Sequence, residues 1–204
     1  MKKYTWIIVG ILSTLIGLYP IKYLIVHTKF GLFTGKSAEL LSNTTWNVIF
    51  YTHIFIAGIA LLIGWLQFSQ RLRKQNIKLH RIIGKIYVIT SLLSGVCGLY
   101  LAFFATGGII STLGFASLAV IWLYTTYFAY TTIKKGKVKL HENLMIYSYA
   151  ACFAAVTLRL WLPVLTQLID EFIIAYRIVS WLAWVPNIIV AYFIVKNKEE
   201  SVTL

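Results

Sequence analysis

The chain has 204 residues, of which 59% are hydrophobic and only 12% are charged, and its formal net charge at pH 7 is +13. A soluble core of this size cannot enclose so much apolar surface, so the composition excludes an ordinary soluble protein and indicates an integral membrane protein. A basic excess of this size also occurs in nucleic-acid-binding proteins, but the placement of the basic residues along the chain argues against such a partner.

Six apolar stretches are each long enough to cross a hydrocarbon layer, which takes about 20 helical residues. Lipid offers no partner for backbone N–H and C=O groups, so each stretch is predicted to be an α-helix. Short links favour antiparallel neighbours, and the predicted fold is a single all-α domain over residues 1–204, a bundle of three transmembrane hairpins. The predicted spans cover residues 4–26, 45–68, 80–104, 108–133, 141–165 and 171–195.

The connections between these stretches alternate in charge. Those on one side carry few basic residues; the longest of them, His27 to Thr44, contains Phe30, Phe33, Leu40 and Leu41, and part of it is predicted to form a short interfacial helix. The connections on the other side are strongly basic, which places both termini in the cytoplasm and predicts a multi-pass protein of the bacterial cytoplasmic membrane with anionic lipid headgroups as partners. The basic groups are Lys2 and Lys3; Arg71, Arg73, Lys74, Lys78, Arg81 and Lys85; Lys134, Lys135, Lys137 and Lys139; Lys196 and Lys198.

Small residues recur at helical spacing in the third span, at Ser91, Ser94, Gly95 and Gly98. Between helices in lipid, small residues allow the backbones to approach closely. The pattern therefore predicts that this side of the third span packs inside the bundle.

Three ionisable side chains lie well inside the predicted spans: His53, Arg159 and Arg177. With a helical rise of about 1.5 Å per residue, all three lie roughly 9–12 Å below the outer surface. Charge at such a depth is costly, which makes it a functional hypothesis. If all three face inward, they form a cationic pocket for a small anionic or quinone-like ligand. The alternative is that the arginines extend to outer headgroups and His53 makes a structural hydrogen bond.

Two prolines are predicted to interrupt the last two spans. Pro163 stands four residues after Arg159 and cannot bond to its carbonyl, and Pro186 does the same to Leu182 in the sixth span. We therefore expect a bend and a free carbonyl beside the candidate pocket.

Two histidines begin similar segments, "KLHRIIGKIY" and "KLHENLMIY". His80 and His141 are predicted at the cytoplasmic starts of two spans that run in the same direction, and therefore at the same depth, as two ligands of one haem b iron or metal ion must be. The set is incomplete for zinc, since Glu142 is the only adjacent carboxylate. The other interpretation is that each histidine is an interfacial residue that bonds to backbone or lipid phosphate.

Soluble-enzyme signatures are missing from the sequence, which has no glycine-rich phosphate loop, no His-Glu-x-x-His and no nucleophile elbow. No catalytic residue is predicted, and a non-enzymatic protein is favoured. The leading prediction is a ligand-binding membrane protein; the alternatives are a membrane redox protein that uses His80 and His141, and a structural or assembly subunit.

Four segments resemble a known family. "HIFIAGIALLIGWLQF" from His53, "LHRIIGKIYV" from Leu79, "LHENLMIYSYA" from Leu140 and the later Arg159 are similar to domain-of-unknown-function family 2306, predicted bacterial membrane proteins. The resemblance implies a common plan for His53, His80, His141 and Arg159 and gives no activity. Where the family pattern has a basic residue and a tryptophan after His141, this chain has Glu142 and Leu144. The architecture also resembles haem-bearing cytochromes of the b561 type, without their four in-membrane histidines.

Overall fold

A computed structural model of the protein describes residues 3–25 and 35–203. Within these ranges, six helical spans are long and apolar enough to cross a membrane, which confirms the prediction of a multi-pass all-α protein. They are Tyr4–Ile25, Thr44–Phe68, Ile77–Ala102, Ile109–Lys134, Val138–Leu168 and Phe172–Glu200.

The first span consists of helix α1 (Lys3–Leu18), a 3₁₀ turn at Tyr19–Ile21 and helix α2 (Lys22–Ile25). Pro20 lies among the first residues of this turn, where a proline is tolerated. In the outer connection, α3 (Ala38–Ser42) forms the expected short helix, while Val26, Phe30 and Phe33 lie outside the described residues.

The second and third spans are delimited by asparagine caps. Helix α4 (Thr44–Gly64) begins where the Asn43 side chain accepts a hydrogen bond from the Trp46 N–H at 2.9 Å. A 3₁₀ turn (Trp65–Phe68) and the short basic helix α5 (Gln70–Gln75) lead to α6 (Ile77–Ala102), which Asn76 caps in the same way. The link is thus short, and α4 packs along α6.

Glycines form the links on both sides of the fourth span, α7 (Ile109–Lys134). Gly107 and Gly108 precede it with φ of 99° and 70°, and Gly136 follows it with φ of 72°. These are left-handed backbone angles that favour glycine. They reverse the chain within a few residues, so α7 packs against both α6 and α8 (Val138–Cys152).

The last two spans are both interrupted. The fifth consists of α8 and α9 (Ala154–Leu168), separated at Phe153, and Pro163 lies inside α9 without ending it. The sixth consists of α10 (Phe172–Leu182) and α11 (Val185–Thr203), separated just before Pro186. The expected break beside Pro186 is present, and the break in the fifth span lies ten residues before Pro163.

The main core lies where α4, α6, α7, α8 and the start of α9 meet, around the fully buried Leu61, Tyr87 and Val156. Ser91, Ser94 and Gly95 are also buried, as their spacing predicts. Helix α10 packs on α7 and α9, and α11 on α8. The division into three hairpins and the cytoplasmic side of the termini remain predictions.

Candidate intramembrane polar site

Arg159 lies in α9 and is held inside the bundle by contacts that do not neutralise its charge. Its Nη1 donates to the Ala155 carbonyl of the same helix at 2.9 Å, and its Cζ lies 4.7 Å from the centre of the Tyr19 ring. Its Nε is buried without a hydrogen-bond partner among the described residues. Aromatic faces attract a guanidinium but cannot replace a counter-charge. The site is therefore suited to an added anion.

His53 lies in α4 and is fixed against α6. Its Nδ1 is 2.9 Å from the Ser94 carbonyl oxygen and 3.0 Å from Ser94 Oγ, and Ser94 Oγ donates to the His53 carbonyl at 3.1 Å. Because a carbonyl only accepts, Nδ1 carries the ring proton and Nε2 is left as an acceptor. Gly98 makes room for the ring, since a Cβ there would lie 2.9 Å from His53 Cε1.

The side chains of His53 and Arg159 line one cavity of about 50 Å³ between α1, α4 and α9. The rest of its lining is apolar or glycine, contributed by Ile16, Pro20, Ile54, Ala57, Gly58, Leu61 and Ala155. A cationic donor and a neutral proton acceptor thus share one small, otherwise apolar space.

Arg177, the third residue of the predicted pocket, lies elsewhere. Its side chain is exposed, its Nε donates to the Gly107 carbonyl at 2.8 Å, and it does not line the cavity. The structure therefore brings together His53 and Arg159 and leaves Arg177 at the link before α7. That Arg177 binds a ligand stays a prediction.

The histidines of the repeated segments lie near each other at the opposite end of the bundle. His80 and His141 interact electrostatically. His141 Nδ1 donates to the Ala129 carbonyl at 2.7 Å, whereas His80 Nδ1 is buried without a partner among the described residues. The described part of the chain contains no group of three or more metal-ligating side chains.

Glu142 connects three parts of the chain beside these histidines. It accepts a hydrogen bond from Arg73 Nη1 of α5 at 2.8 Å and pairs with Lys198 of α11. The neighbouring Asn143 donates to Glu199 Oε1 at 2.8 Å. Glu142, which stands where the family pattern has a basic residue, therefore joins the start of the fifth span to α5 and to the end of α11.

The family profile described as "Predicted membrane protein (DUF2306)" matches residues 50–195, well over half of the chain. The protein belongs to the DUF2306 family. The match includes His53, His80, His141 and Arg159, so the expected family is confirmed. No curated protein and no solved structure matches the chain.

Sequence reasoning missed the partners that shape the site of this DUF2306 protein. Tyr19 over Arg159, and Ser94 against His53, are not predictable from their own segments, because each contact joins residues far apart in the sequence. One signal was available: Ser94 and Gly98 belong to the small-residue pattern of the third span. That pattern predicts close packing and does not reveal that an imidazole fills the space at Gly98.

Proposed function

We propose that this protein is a non-enzymatic protein of the bacterial cytoplasmic membrane, with both termini in the cytoplasm, that binds the acidic headgroup of a small amphiphile between α1, α4 and α9. One observation supports the proposal: Arg159 and His53 line the same cavity, and none of the described carboxylates pairs with Arg159. An uncompensated arginine inside a membrane protein is costly, and a bound anion would offset that cost.

The chemistry of the pair suits a weak acid. A carboxylic acid is neutral in lipid and needs no counter-charge to reach the site. There, Nε2 of His53 accepts its proton, and the resulting carboxylate is held by the guanidinium of Arg159 in a charge-assisted hydrogen bond. The product is a carboxylate between two cationic groups, more favourable than either the free acid or the isolated arginine.

The size of the cavity favours an acid over a quinone-like ligand. Its volume is about 50 Å³, against the ≈300–1,000 Å³ of ordinary small-molecule sites and ≈30 Å³ for one water molecule in the liquid. A carboxylate fits with little movement, whereas a quinone ring requires the helices to separate. We therefore place only the headgroup in the cavity and the apolar tail outside it.

Thermal unfolding in lipid nanodiscs tests the proposal, with octanoate as the acid and octanol as the neutral control of equal chain length. Octanoate is expected to raise the unfolding temperature of the wild-type protein, with a stabilisation of about 2.7 kcal/mol at 100 times its dissociation constant. Arg159→Leu removes the cation and abolishes this shift. Arg177→Leu changes an arginine outside the cavity lining; it keeps the shift if His53 and Arg159 alone form the site, and abolishes it if Arg177 also binds the ligand.

Three outcomes would count against an acid site: equal stabilisation by octanol, an unchanged octanoate effect in Arg159→Leu, or no effect of octanoate at all. A short-tailed ubiquinone analogue is measured alongside. Stabilisation by that compound alone, lost in Arg159→Leu, would identify the quinone-like ligand instead.

A second candidate is a redox protein that holds haem b or a metal ion through His80 and His141. It is favoured by the Nδ1–H of His141, which donates to the Ala129 carbonyl and leaves Nε2 as an acceptor, as in many metal-bound histidines. The purified protein is then expected to show a Soret band or stoichiometric metal, lost in His80→Ala and His141→Ala. A colourless, metal-free preparation from haem-replete cells rules this candidate out, and negative results in both sets of experiments favour a structural or assembly subunit.

A further inference from the structure

One face of α6 carries a polar residue or a glycine at every turn of the helix. Successive members are separated alternately by four and three residues, so at about 100° per residue they lie within roughly 80° of one another around the helix axis. From first to last they extend over about 27 Å, close to the ≈30 Å thickness of the hydrocarbon core. They are His80, Gly84, Tyr87, Ser91, Ser94 and Gly98, and we call this set the polar face of α6.

Polar side chains from the second span fill the space beside the two glycines of this face, where a larger residue would place its own side chain. Gln67 Oε1 lies 3.0 Å from the position that a Cβ would take on Gly84, and His53 Cε1 lies 2.9 Å from the corresponding position on Gly98. Together with the side chains of α6 itself, they place a hydrogen-bonding group at every turn of the polar face.

The middle of the polar face connects to two further helices. The Tyr87 hydroxyl hydrogen-bonds to Ser148 Oγ at 2.8 Å, and Ser148 Oγ to Thr126 Oγ1 at 2.7 Å. Ser91 Oγ and the Trp122 indole N–H also face the Tyr87 hydroxyl without completing a hydrogen bond to it. Tyr87 and Ser148 each stand seven residues after the histidine of their own segment, which agrees with an equal depth for His80 and His141.

Three of the buried polar atoms that have no partner among the described residues lie on or against this face. Gln67 is only 8% exposed and its Nε2 has no partner among the described residues; the same is true of Oγ of the fully buried Ser91 and of His80 Nδ1. Such groups cost several kcal/mol in a lipid environment unless they are satisfied. Buried water, with two to four hydrogen bonds per molecule, is their ordinary partner inside proteins.

We propose that the polar face of α6 is a proton path between the His80 end of the bundle and the cavity at His53. Each hydroxyl accepts a proton on one side while it releases one on the other, with bridging water between turns. At the cavity, His53 accepts a proton at Nε2 and releases one from Nδ1 to Ser94. Only O–H and N–H bonds form and break, and no electron is transferred.

Charged groups lie close to both ends of the path. Arg159 acts on His53, whereas Arg73, Arg81 and His141 act on His80. The cationic Arg159 favours release of a proton from His53 towards Ser94, away from the cavity. The proton path does not depend on what the cavity binds, because it is tested on the ligand-free protein. If octanoate does not bind, the proposed path is unaffected. If the path is absent, the proposed acid site is likewise unaffected.

Solid-state NMR of the protein in bilayers, with ¹⁵N-labelled histidine, measures the path directly. The chain has four histidines, so the His53 signal can be assigned from its loss in His53→Asn. The rate of exchange between water protons and the His53 imidazole N–H is the readout. Tyr87→Phe and Ser91→Ala each remove a single hydroxyl and are expected to slow the exchange at least about tenfold, which corresponds to a barrier raised by ~1.4 kcal/mol.

Thr90→Val is the matched control. Thr90 lies on α6 outside the polar face, and its hydroxyl donates only to backbone carbonyls of its own helix, those of Ile86 at 2.8 Å and Tyr87 at 3.0 Å. This variant is expected to keep the wild-type exchange rate. The proposal is overturned if His53 does not exchange in the wild-type protein, if Tyr87→Phe and Ser91→Ala both leave the rate unchanged, or if Thr90→Val slows it equally. Having two path variants keeps the test decisive should one of them fail to fold.

Discussion

The ring of His53 occupies the space in which any side chain on Gly98 would lie. A Cβ there would approach His53 Cε1 to 2.9 Å, closer than normal contact. In Gly98→Ala the ring must move and lose its bonds to Ser94, so we expect a loss of about 1–3 kcal/mol in the free energy of unfolding and loss of octanoate binding. Denaturant unfolding in mixed micelles measures the first effect, and the nanodisc assay the second.

The control for this change adds a carbon on the lipid-facing side of the same helix. Val96 is 62% exposed, and Val96→Ile is expected to leave both stability and binding unchanged. If Gly98→Ala behaves like Val96→Ile, the fixed position of the His53 ring has no energetic importance and the site geometry proposed above is wrong.

The contacts that hold Arg159 require a guanidinium. The planar guanidinium stacks over the Tyr19 ring at 4.7 Å while its Nη1 bonds to Ala155, a combination that a lysine ammonium cannot reproduce. The aromatic face reduces the cost of the buried charge. The Nε of Arg159 has no hydrogen-bond partner among the described residues, and no carboxylate of the described chain pairs with the guanidinium.

At the scale of helices, the cavity depends on the close approach of α1 to α4. Gly17 and Gly58 face each other, and a Cβ on Gly58 would lie 2.6 Å from the Gly17 carbonyl oxygen. Such backbone contact is the usual way in which helices associate in lipid. It brings Ile16 and Pro20 of the first span into the lining of the cavity, together with His53.

Side chains at the breaks of the fifth and sixth spans hydrogen-bond to each other and to a backbone carbonyl at the break of the sixth span. Asn187 Nδ2 donates to Thr157 Oγ1 at 3.1 Å and to the Ala183 carbonyl at 3.1 Å, and Thr157 also donates to that carbonyl. Carbonyls freed near a proline need such partners in lipid. The two breaks therefore act as one hydrogen-bonded joint, which fixes α9 and with it Arg159.

At the scale of the whole molecule, sequence patterns predict the spans well because lipid imposes one length and one backbone geometry on every crossing segment. They do not predict lateral arrangement. His53, Arg159 and Arg177 share a depth, yet depth says nothing about direction around the helix axis, and Arg177 faces outward to Gly107. Likewise Pro163 lies within a continuous helix and the fifth span breaks at Phe153 instead, whereas the sixth span does break beside Pro186, so a proline alone does not fix where a span is interrupted.

The orientation of the molecule can be tested through Lys36, on the predicted outer side. Partial burial lowers the pKa of Lys36 to about 8, and its Nζ donates to the Phe104 carbonyl. At pH 8 about half of this amine is neutral and nucleophilic, against well under 1% of an ordinary lysine with a pKa of about 10.4. With a membrane-impermeant acylating reagent on spheroplasts, we expect Lys36 labelling to rise steeply from pH 7 to 9 and then level off, followed by mass spectrometry. Lys36→Arg should abolish that signal.

The contradicting outcome is labelling of Lys135 and Lys139 in intact spheroplasts while Lys36 is protected. The protein then lies in the membrane the other way round, and the His80 end of the proposed proton path faces outward.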